Sequence, residues 1–478
     1  MRSTISFILD GKIVDLDFTN SKEFSPTSTV LNYLRSLPTH KGVKEGCAEG
    51  DCGACTVVLA EIVDNKITYR AVDSCLIFLP IIHGKQLITV ENLKSSDGKL
   101  HPVQQSMVEM YGSQCGFCTP GIIMSMFALY KNHNKPTREQ IDDALTGNLC
   151  RCTGYRPIVE ATAKSCVHNC ADHFTNDESN IIKLLKSISK ESIHIRTNNQ
   201  KYFRPASLGE AISLKHQYQK AIIICGATDV ALRVTKNHEL LKEIIDLSGV
   251  EELKTIIQTD SSIEIGAGVL LNDILLPIEK DFPALHEMLK VFGSYQIRNL
   301  ATLGGNLGSA SPIGDTLPVL MAYDANVVLE SLNGRRVIPL NDYIIGYRKT
   351  VRKPDELITS IIIPKIINGS IIKSYKVSKR KDLDISTLSA CFKIDLDSNM
   401  VKSIILAYGG MAERTKRALT VEQFLLGKQW ERKTIEQSMP LIEKDFTPIT
   451  DARGSAEFRI KAAQNLLMKF WLESNKVK

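Results

Sequence analysis

Lys44-Glu45-Gly46-Cys47-Ala48-Glu49-Gly50-Asp51-Cys52-Gly53-Ala54-Cys55-Thr56-Val57 packs three cysteines and three glycines into one short stretch, and Cys75 follows after nineteen intervening residues. Three thiolates on a single loop converge on a compact inorganic centre only if the backbone wraps around it, and glycines permit that path. Amide N–H groups of Gly46, Gly50 and Gly53 can then point at the centre and stabilise its negative charge. A Cys-x4-Cys-x2-Cys run with one distant cysteine is a ligand spacing for a [2Fe–2S] cluster. Structural zinc sites favour two symmetric knuckles, which this three-plus-one pattern lacks. Cys47, Cys52, Cys55 and Cys75 are therefore read as iron–sulfur ligands.

Upstream of this loop, residues 4–17 alternate about Asp10-Gly11, a two-residue hairpin signal. A short helix is expected over 28–37, a strand over 56–63, a turn at Asp64-Asn65 and a second strand ending near Cys75. That is a small mixed sheet with one helix, closing near residue 92. From His101 the apolar period becomes 3.6 and predicts helices over 103–111, 120–131, 138–145 and 157–170. Thr137 and Gln140 form a capping box for the third, and Pro120 and Pro157 stand at first-turn positions.

These helices carry a second group, Cys115-x2-Cys118 and Cys150-x-Cys152. Each pair precedes a proline-initiated helix, whose positive N-terminus would face an anionic cluster. The spacing alone leaves zinc and iron open. The neighbouring loop favours iron, because a lone cluster needs another centre with which to exchange electrons. Cys166, Cys170, Cys225 and Cys391 are scattered and read as ordinary thiols.

With 478 residues, 43% hydrophobic and 23% charged, the chain is globular and long enough for about three or four domains. A net charge of +6 without a Lys/Arg block argues against nucleic acid. No apolar run reaches the roughly 18 residues of a membrane span. The N-terminal apolar stretch is too short and too soon charged for a signal peptide. A cytoplasmic protein is expected, and in that reducing compartment grouped cysteines mean metal rather than disulfides.

Residues 171–199 are polar and read as an interdomain linker. After Phe203 the pattern is α/β, with strands expected over 221–225, 263–266 and 326–330. Gly226-Ala227-Thr228-Asp229 and Thr302-Leu303-Gly304-Gly305-Asn306 are small-residue loops whose amides can approach a pyrophosphate, though such loops are also ordinary turns. No G-x-G-x-x-G opens a βαβ unit, which disfavours a Rossmann domain. Strands over 373–378, 388–395 and 403–409, then helices, complete the chain.

Three long motifs resemble the signature segments of the molybdenum hydroxylases. They are the 44–57 loop, Gln114-Cys115-Gly116-Phe117-Cys118-Thr119-Pro120-Gly121, and Gly147-Asn148-Leu149-Cys150-Arg151-Cys152-Thr153-Gly154-Tyr155-Arg156-Pro157. Within the family they are most similar to the iron–sulfur/FAD subunit of the xanthine dehydrogenase group. Phe203-Arg204-Pro205 onward, 223–230 and 298–315 resemble the family's FAD-binding domain, and 376–384 with 406–415 its flavoprotein C-terminal domain. The resemblance implies a multidomain α+β chain. Its parts would be a plant-ferredoxin-like β-grasp [2Fe–2S] domain over 1–92 and a four-helix [2Fe–2S] domain over 93–170. A linker over 171–199 would lead to an α/β FAD-binding domain of the PCMH (vanillyl-alcohol-oxidase-like) type over 200–368. A CO-dehydrogenase-flavoprotein-like C-terminal domain would fill 369–478.

The resemblance further implies roles for individual residues. Ile223, Ile224, Cys225, Gly226, Ala227, Thr228, Asp229 and Val230 would cradle the FAD pyrophosphate and ribityl chain together with Thr302, Leu303, Gly304, Gly305 and Asn306. Phe292 would lie on the adenine side. Asp315 would bind FAD hydroxyls, with a helix N-cap as its alternative. Ile358 and Lys376 would sit beside the isoalloxazine, where a cation stabilises reduced anionic flavin; the alternative for Lys376 is a solvated strand lysine. Gln114 would reach towards the pterin of a partner or support its own cluster. Relatives carry two successive acidic residues where this chain has Leu383 before Asp384, a departure that bears on the nicotinamide site and on oxygen reactivity.

No stretch is left for a molybdopterin-binding domain, so the resemblance implies a large partner subunit holding the molybdenum cofactor, in a heterotetramer with two copies of each chain. The expected activity is that of the electron-transfer subunit of xanthine dehydrogenase. Electrons would pass from molybdenum oxidising hypoxanthine or xanthine through two [2Fe–2S] clusters and FAD to NAD. An equivalent subunit acting with aldehydes or N-heterocycles, a self-sufficient NADH:acceptor flavoprotein and a zinc-stabilised binding module are the competing readings.

Overall fold

The computed structural model describes residues 3–19, 23–167, 172–366 and 369–475, so Cys170 and the domain edges expected at 170–171 and 368 lie outside the described residues. The chain forms two compact units, one of residues 1–214, 218–251 and 294–301, the other of 215–217, 252–293 and 302–478.

The first unit opens with β1 (Thr4–Leu9) and β2 (Lys12–Asp17), paired antiparallel with Thr4 opposite Asp17. Asp10 and Gly11 turn the hairpin at φ 52° and 71°, the doubly positive geometry whose twist matches the flanking strands. The helix α1 (Val30–Ser36) starts at Thr29, whose side chain accepts the Asn32 amide. Strands β3 (Thr56–Val63) and β4 (Lys66–Asp73) turn through Asp64 and Asn65, again both at positive φ. With β5 (Gln86–Ile88) they complete a five-stranded sheet in the order β2-β1-β5-β3-β4.

Helices α2 (Pro102–Glu109), α3 (Thr119–Asn132), α4 (Arg138–Leu145) and α5 (Arg156–Ser165) follow. The Thr137/Gln140 capping box forms, and Pro120 and Pro157 occupy first turns. Helix α3 is buried continuously from Gly121 to Tyr130, as its all-round apolar sequence requires. It packs against β3 and β4.

The polar stretch expected as a linker is instead folded: α6 (His173–Asn176), α7 (Glu178–Ser187) and β6 (Ile193–Arg196). Ile181, Leu185 and Ile188 form one apolar cluster with Ile8. Lysines and serines around a narrow apolar stripe make the stretch look polar without removing the face that packs. Strand β6 pairs with β7 (Lys201–Arg204), and after α8 (Leu208–Gln217) come β8 (Ile222–Ile224), α9 (Ala231–Thr235) and β9 (Glu243–Asp246). Their order is β6-β7-β9-β8. A single core holds Phe7, Leu34 and Phe78 together with Ile195, Tyr202, Ile244 and Leu300. The first part of the expected FAD region therefore shares its core with the cysteine-rich sheet.

The second unit contains β10 (Ile256–Gln258), β11 (Ser262–Gly266), α10 (Leu271–Ile278) and α11 (Pro283–Lys290). The chain then contributes α12 (Tyr295–Arg298) to the first unit before resuming with α13 (Leu303–Ser309) and α14 (Thr316–Ala322). Next come β12 (Asn326–Ser331), β13 (Gly334–Pro339), a ribbon of β14 (Ile344–Gly346) and β15 (Lys349–Thr350), and β16 (Leu357–Pro364). One sheet runs β10-β11-β16-β12-β13. A second, antiparallel sheet joins β17 (Ile371–Val377), β18 (Leu388–Asp397), β19 (Met400–Gly409) and β20 (Lys416–Arg417), and a long helix, Ala456–Ser474, packs against it. This architecture is the expected multidomain α+β one.

Candidate functional site

The loop between α1 and β3 folds around Cys47. Ala48 (φ 55°), Gly50 (φ 74°) and Gly53 (φ 67°) bend it through left-handed positions. The amides of Glu49, Asp51 and Cys52 lie 3.5, 3.3 and 3.4 Å from Cys47 Sγ. The donors are thus residues between the glycines rather than the glycines themselves, and two of them, Glu49 and Asp51, directly follow a left-handed residue. Gly46 is required by proximity, since a Cβ there would stand 2.7 Å from Cys52 Sγ.

Cys47 meets both Cys52 and Cys75, and Cys55 meets Cys75. Hydrogen bonds from Cys52 and Cys75 hold the Cys47 thiol far below its ordinary range, and the bond from Cys75 lowers Cys55. The donors Cys52 and Cys75 are pushed correspondingly upward. Asp73, at the end of β4, is a participant that sequence reasoning missed. It is fully buried with Oδ1 3.9 Å from Cys55 Sγ, and burial raises it well above the carboxylate range. The signal was an acidic residue two positions before a ligand cysteine.

The second group assembles in the same unit. Cys115 meets Cys152, and Cys118 meets Cys150. Cys115 and Cys152 are exposed, Cys118 is half-buried and Cys150 is buried. The Phe117 backbone lowers the Cys115 thiol, while burial pushes Cys118 up to about 12. Cys118 is itself the residue from which α3 starts. The matching expectation for α5 is corrected, since Thr153, Gly154 and Tyr155 intervene before it and form a turn of their own. The Thr153 hydroxyl lies 3.2 Å from Cys150 Sγ, and the Cys150 amide donates to Tyr155 Oη at 2.9 Å. Gln114 is exposed.

The thiols gather in two places: Cys52, Cys47, Cys75 and Cys55 form one run of contacts, and Cys115 with Cys152 and Cys118 with Cys150 lie in the other. Four cysteine sulfurs in each place match the ligand number of a [2Fe–2S] cluster.

The residues expected around a flavin fall in both units. In the first, β8 ends at Ile224, and a Cβ on Gly226 would stand 1.6 Å from the Leu300 carbonyl oxygen, so only glycine fits. Ala227 takes φ 60°. Ile223, Cys225, Thr228 and Val230 are half-buried, and Asp229 is exposed. In the second unit, Thr302 caps α13 by accepting the Gly305 amide at 3.0 Å, so Leu303, Gly304, Gly305 and Asn306 are the first turn of a helix and not an open loop. A Cβ on Gly304 would meet the Ala267 carbonyl at 2.6 Å. The Thr316 hydroxyl donates to Asn306 Oδ1 at 2.5 Å.

Asp315 precedes α14 but caps no amide. Its carboxylate accepts Ser386 Oγ at 2.6 Å and pairs with Lys376 Nζ at 3.1 Å, the two side chains being 7% and 5% exposed. Lys376 also donates to the Val291 carbonyl at 2.7 Å. Both bland alternatives fail: Asp315 is no helix cap, and Lys376 is no solvated strand lysine. Ile358 is buried and Phe292 half-buried. Leu383 takes φ 71°, and the following Asp384 accepts the Arg380 guanidinium at 2.7 Å.

Two groups of four cysteines define the class as an iron–sulfur protein, and the family models that match the chain extend it to the flavin-dependent oxidoreductases. Residues 89–163 match the [2Fe-2S] binding domain, 196–366 the FAD binding domain in molybdopterin dehydrogenase, and 373–474 the CO dehydrogenase flavoprotein C-terminal domain. The chain belongs to the molybdenum hydroxylase family, as its iron–sulfur/FAD part. It is 31% identical to xanthine dehydrogenase/oxidase of Gallus gallus over 544 aligned positions, covering 98% of this chain and 40% of that protein. Xanthine dehydrogenase 1 of Arabidopsis thaliana is 33% identical, covering 93% of this chain and 38% of its own length. The chain thus spans about two fifths of these relatives. Carbon monoxide dehydrogenase from Hydrogenophaga pseudoflava superposes with a TM-score of 0.54 at 26% identity, covering 57% of this chain and 95% of its own. Quinoline 2-oxidoreductase from Pseudomonas putida 86 shares the fold at a TM-score of 0.53 and 24% identity, over 57% of this chain and 96% of that one.

Proposed function

We propose that this chain is the electron-transfer subunit of a xanthine dehydrogenase-type complex. It would take electrons from a molybdenum centre, held with its molybdopterin by a large partner subunit that oxidises hypoxanthine and xanthine, and deliver them to NAD. Two copies of each chain would make the complex. The observation that carries this reading is the gathering of eight cysteines into two quartets in one unit, Cys47, Cys52, Cys55 and Cys75 in the first and Cys115, Cys118, Cys150 and Cys152 in the second. Iron–sulfur clusters supply one-electron transfer and flavin the exchange between one and two electrons, which reduction of NAD requires.

The chain's own residues have definable tasks. The Glu49, Asp51 and Cys52 amides offset negative charge on Cys47. Exposed Cys115 and Cys152 bring the second quartet to the surface, where a partner can approach it, whereas Cys55 and Cys75 are buried. Gly226 and Gly304 each let a neighbouring backbone segment of their own unit approach closely. Asp315 and Lys376 hold opposite charges fixed in a dry setting, the lysine positioned to favour an anionic flavin ring and the carboxylate to bind flavin hydroxyls. Similarity to xanthine dehydrogenases along almost the whole chain supports the purine substrate and NAD.

The test is purification of the chain with its partners, followed by metal analysis, visible spectroscopy and electron paramagnetic resonance. Four irons, acid-labile sulfide, one FAD and two distinct signals on reduction are expected, with xanthine reducing all centres when a molybdenum subunit is present. A colourless zinc protein refutes the reading. Reduction by aldehydes or N-heterocycles but not xanthine moves the substrate assignment, and full activity without a second chain removes the partner.

A further inference from the structure

Asn148 is 3% exposed and has every hydrogen-bonding valence filled. Its Nδ2 donates to the Gly53 carbonyl at 3.0 Å and to Thr56 Oγ1 at 3.1 Å, on the loop that carries Cys52 and Cys55. Its Oδ1 accepts Ser125 Oγ at 2.6 Å and Gln296 Nε2 at 3.0 Å. The next residue, Leu149, donates its amide to the Cys52 carbonyl at 3.0 Å. A ligand of one quartet is therefore hydrogen-bonded to the residue that immediately precedes Cys150, a ligand of the other.

Gly53 and Gly121 leave no room for a side chain of their own in this seam. A Cβ on Gly53 would stand 2.1 Å from the Gly147 carbonyl oxygen, and one on Gly121 would stand 2.1 Å from the Gly53 carbonyl oxygen. Gln296, wholly buried on α12, locks the seam from behind with further bonds to Ser125 Oγ at 2.8 Å and the Ala144 carbonyl at 3.1 Å. Its segment, 294–301, lies directly before Thr302 in sequence, yet it packs with the cysteine-bearing unit.

We propose that Asn148 is a positioning residue that fixes the separation of the two thiol quartets and thereby the rate at which an electron crosses between them. The inference rests on the two-cluster reading above. Tunnelling decays steeply with distance and is faster through bonded atoms than across gaps. The route from Cys52 through its carbonyl and the Leu149 amide to Cys150 contains a single hydrogen bond. The step moves one electron, oxidising one cluster and reducing the other, with no proton transferred. A side chain bonded to both ligand loops holds that distance against drift in a way that apolar packing of small residues does not.

The experiment is Asn148→Ala in the full chain, loaded with iron. Iron content and the presence of two reduced signals report on the two-cluster reading. The spin–spin splitting between those signals and the flash-induced equilibration rate between clusters report on the seam. With four irons and both signals retained, a smaller splitting and a slower equilibration rate are expected together, because both fall as the separation of the quartets grows. Unchanged splitting and rate overturn the proposal. Should Asn148→Ala fail to load iron, Gln296→Ala decides. It removes one donor to Asn148 without touching a ligand loop, and the same changes in smaller measure support the proposal, whereas wild-type splitting and rate overturn it.

Discussion

Lys376→Met removes one half of an ion pair that water scarcely reaches. Asp315 and Lys376 stand 3.1 Å apart with side chains 7% and 5% exposed. At that separation, and at an effective dielectric of about 20, their attraction is about 5 kcal/mol. Much of it is offset by the desolvation of both ions, so the net value of the pair is far smaller. The single change is a different matter. It leaves the Asp315 carboxylate buried with only Ser386 Oγ donating, and the loss of one partner of such a pair costs about 3–5 kcal/mol. Asp315→Asn leaves the Lys376 ammonium with the Val291 carbonyl as its acceptor and falls in the same range. The double variant Asp315→Asn/Lys376→Met removes both charges of the pair, and its cost is expected to fall below that of either single change. The assay is denaturant unfolding of the flavin-free protein, followed by a probe in the second unit because the chain has more than one cooperative body. A double-mutant cycle then gives the coupling. Costs that simply add, or single changes under about 1 kcal/mol, would refute the picture of a dry, mutually compensated pair.

The other expectations concern the cysteine-bearing unit. Cys115→Ser loses a ligand at the exposed quartet, so iron falls from four to two per chain and one paramagnetic signal disappears, while NADH still reduces the flavin; unimpaired xanthine–NAD turnover would break the assumed order of centres. Gly226→Ala places a methyl group 1.6 Å from the Leu300 carbonyl oxygen, and a loss of at least about 1–3 kcal/mol with failure to retain FAD is expected in thermal and flavin-content assays. Burial holds His101 below the ordinary imidazole range even though Asp172 Oδ2 lies 3.0 Å from its Nε2, with Lys131 on the far side of that carboxylate. The unfolded chain takes up a proton there below about pH 6.5 and the folded one resists, so stability drops as the pH falls below that value. The melting temperature of the first unit should decline from pH 7 to pH 5, and His101→Gln should flatten the decline.

Much of the site was legible because its signals are local. Cysteine spacing is a property of short stretches, and the hairpins at Asp10-Gly11 and Asp64-Asn65, the capping box at Thr137 and the prolines of α3 and α5 all act within a few residues. The misses share a different cause. Residues 171–199 read as a linker because a thin apolar stripe of Ile181, Leu185 and Ile188 finds its partner, Ile8, far away in sequence. The loop from Thr302 read as open because glycines suggest turns, whereas Thr302 Oγ1 captures the Gly305 amide and starts a helix. Asp73 was missed although it stands two positions before Cys75, because the burial that raises its carboxyl is supplied by strands distant in sequence.

The sequence by itself determined which eight sulfurs gather into two groups and where most of the strands, helices and turns fall, since these depend on nearest neighbours and on backbone geometry. The tertiary structure alone decided that Cys75 joins Cys47 and Cys55, that Cys115 meets Cys152 and Cys118 meets Cys150, that Asp315 and Lys376 share a buried pair, and that Asn148 binds the Gly53 carbonyl, Ser125 and Gln296 at once. Those are distances between residues far apart along the chain. They are set by how whole elements bury apolar surface against one another, and no local pattern of residues encodes them.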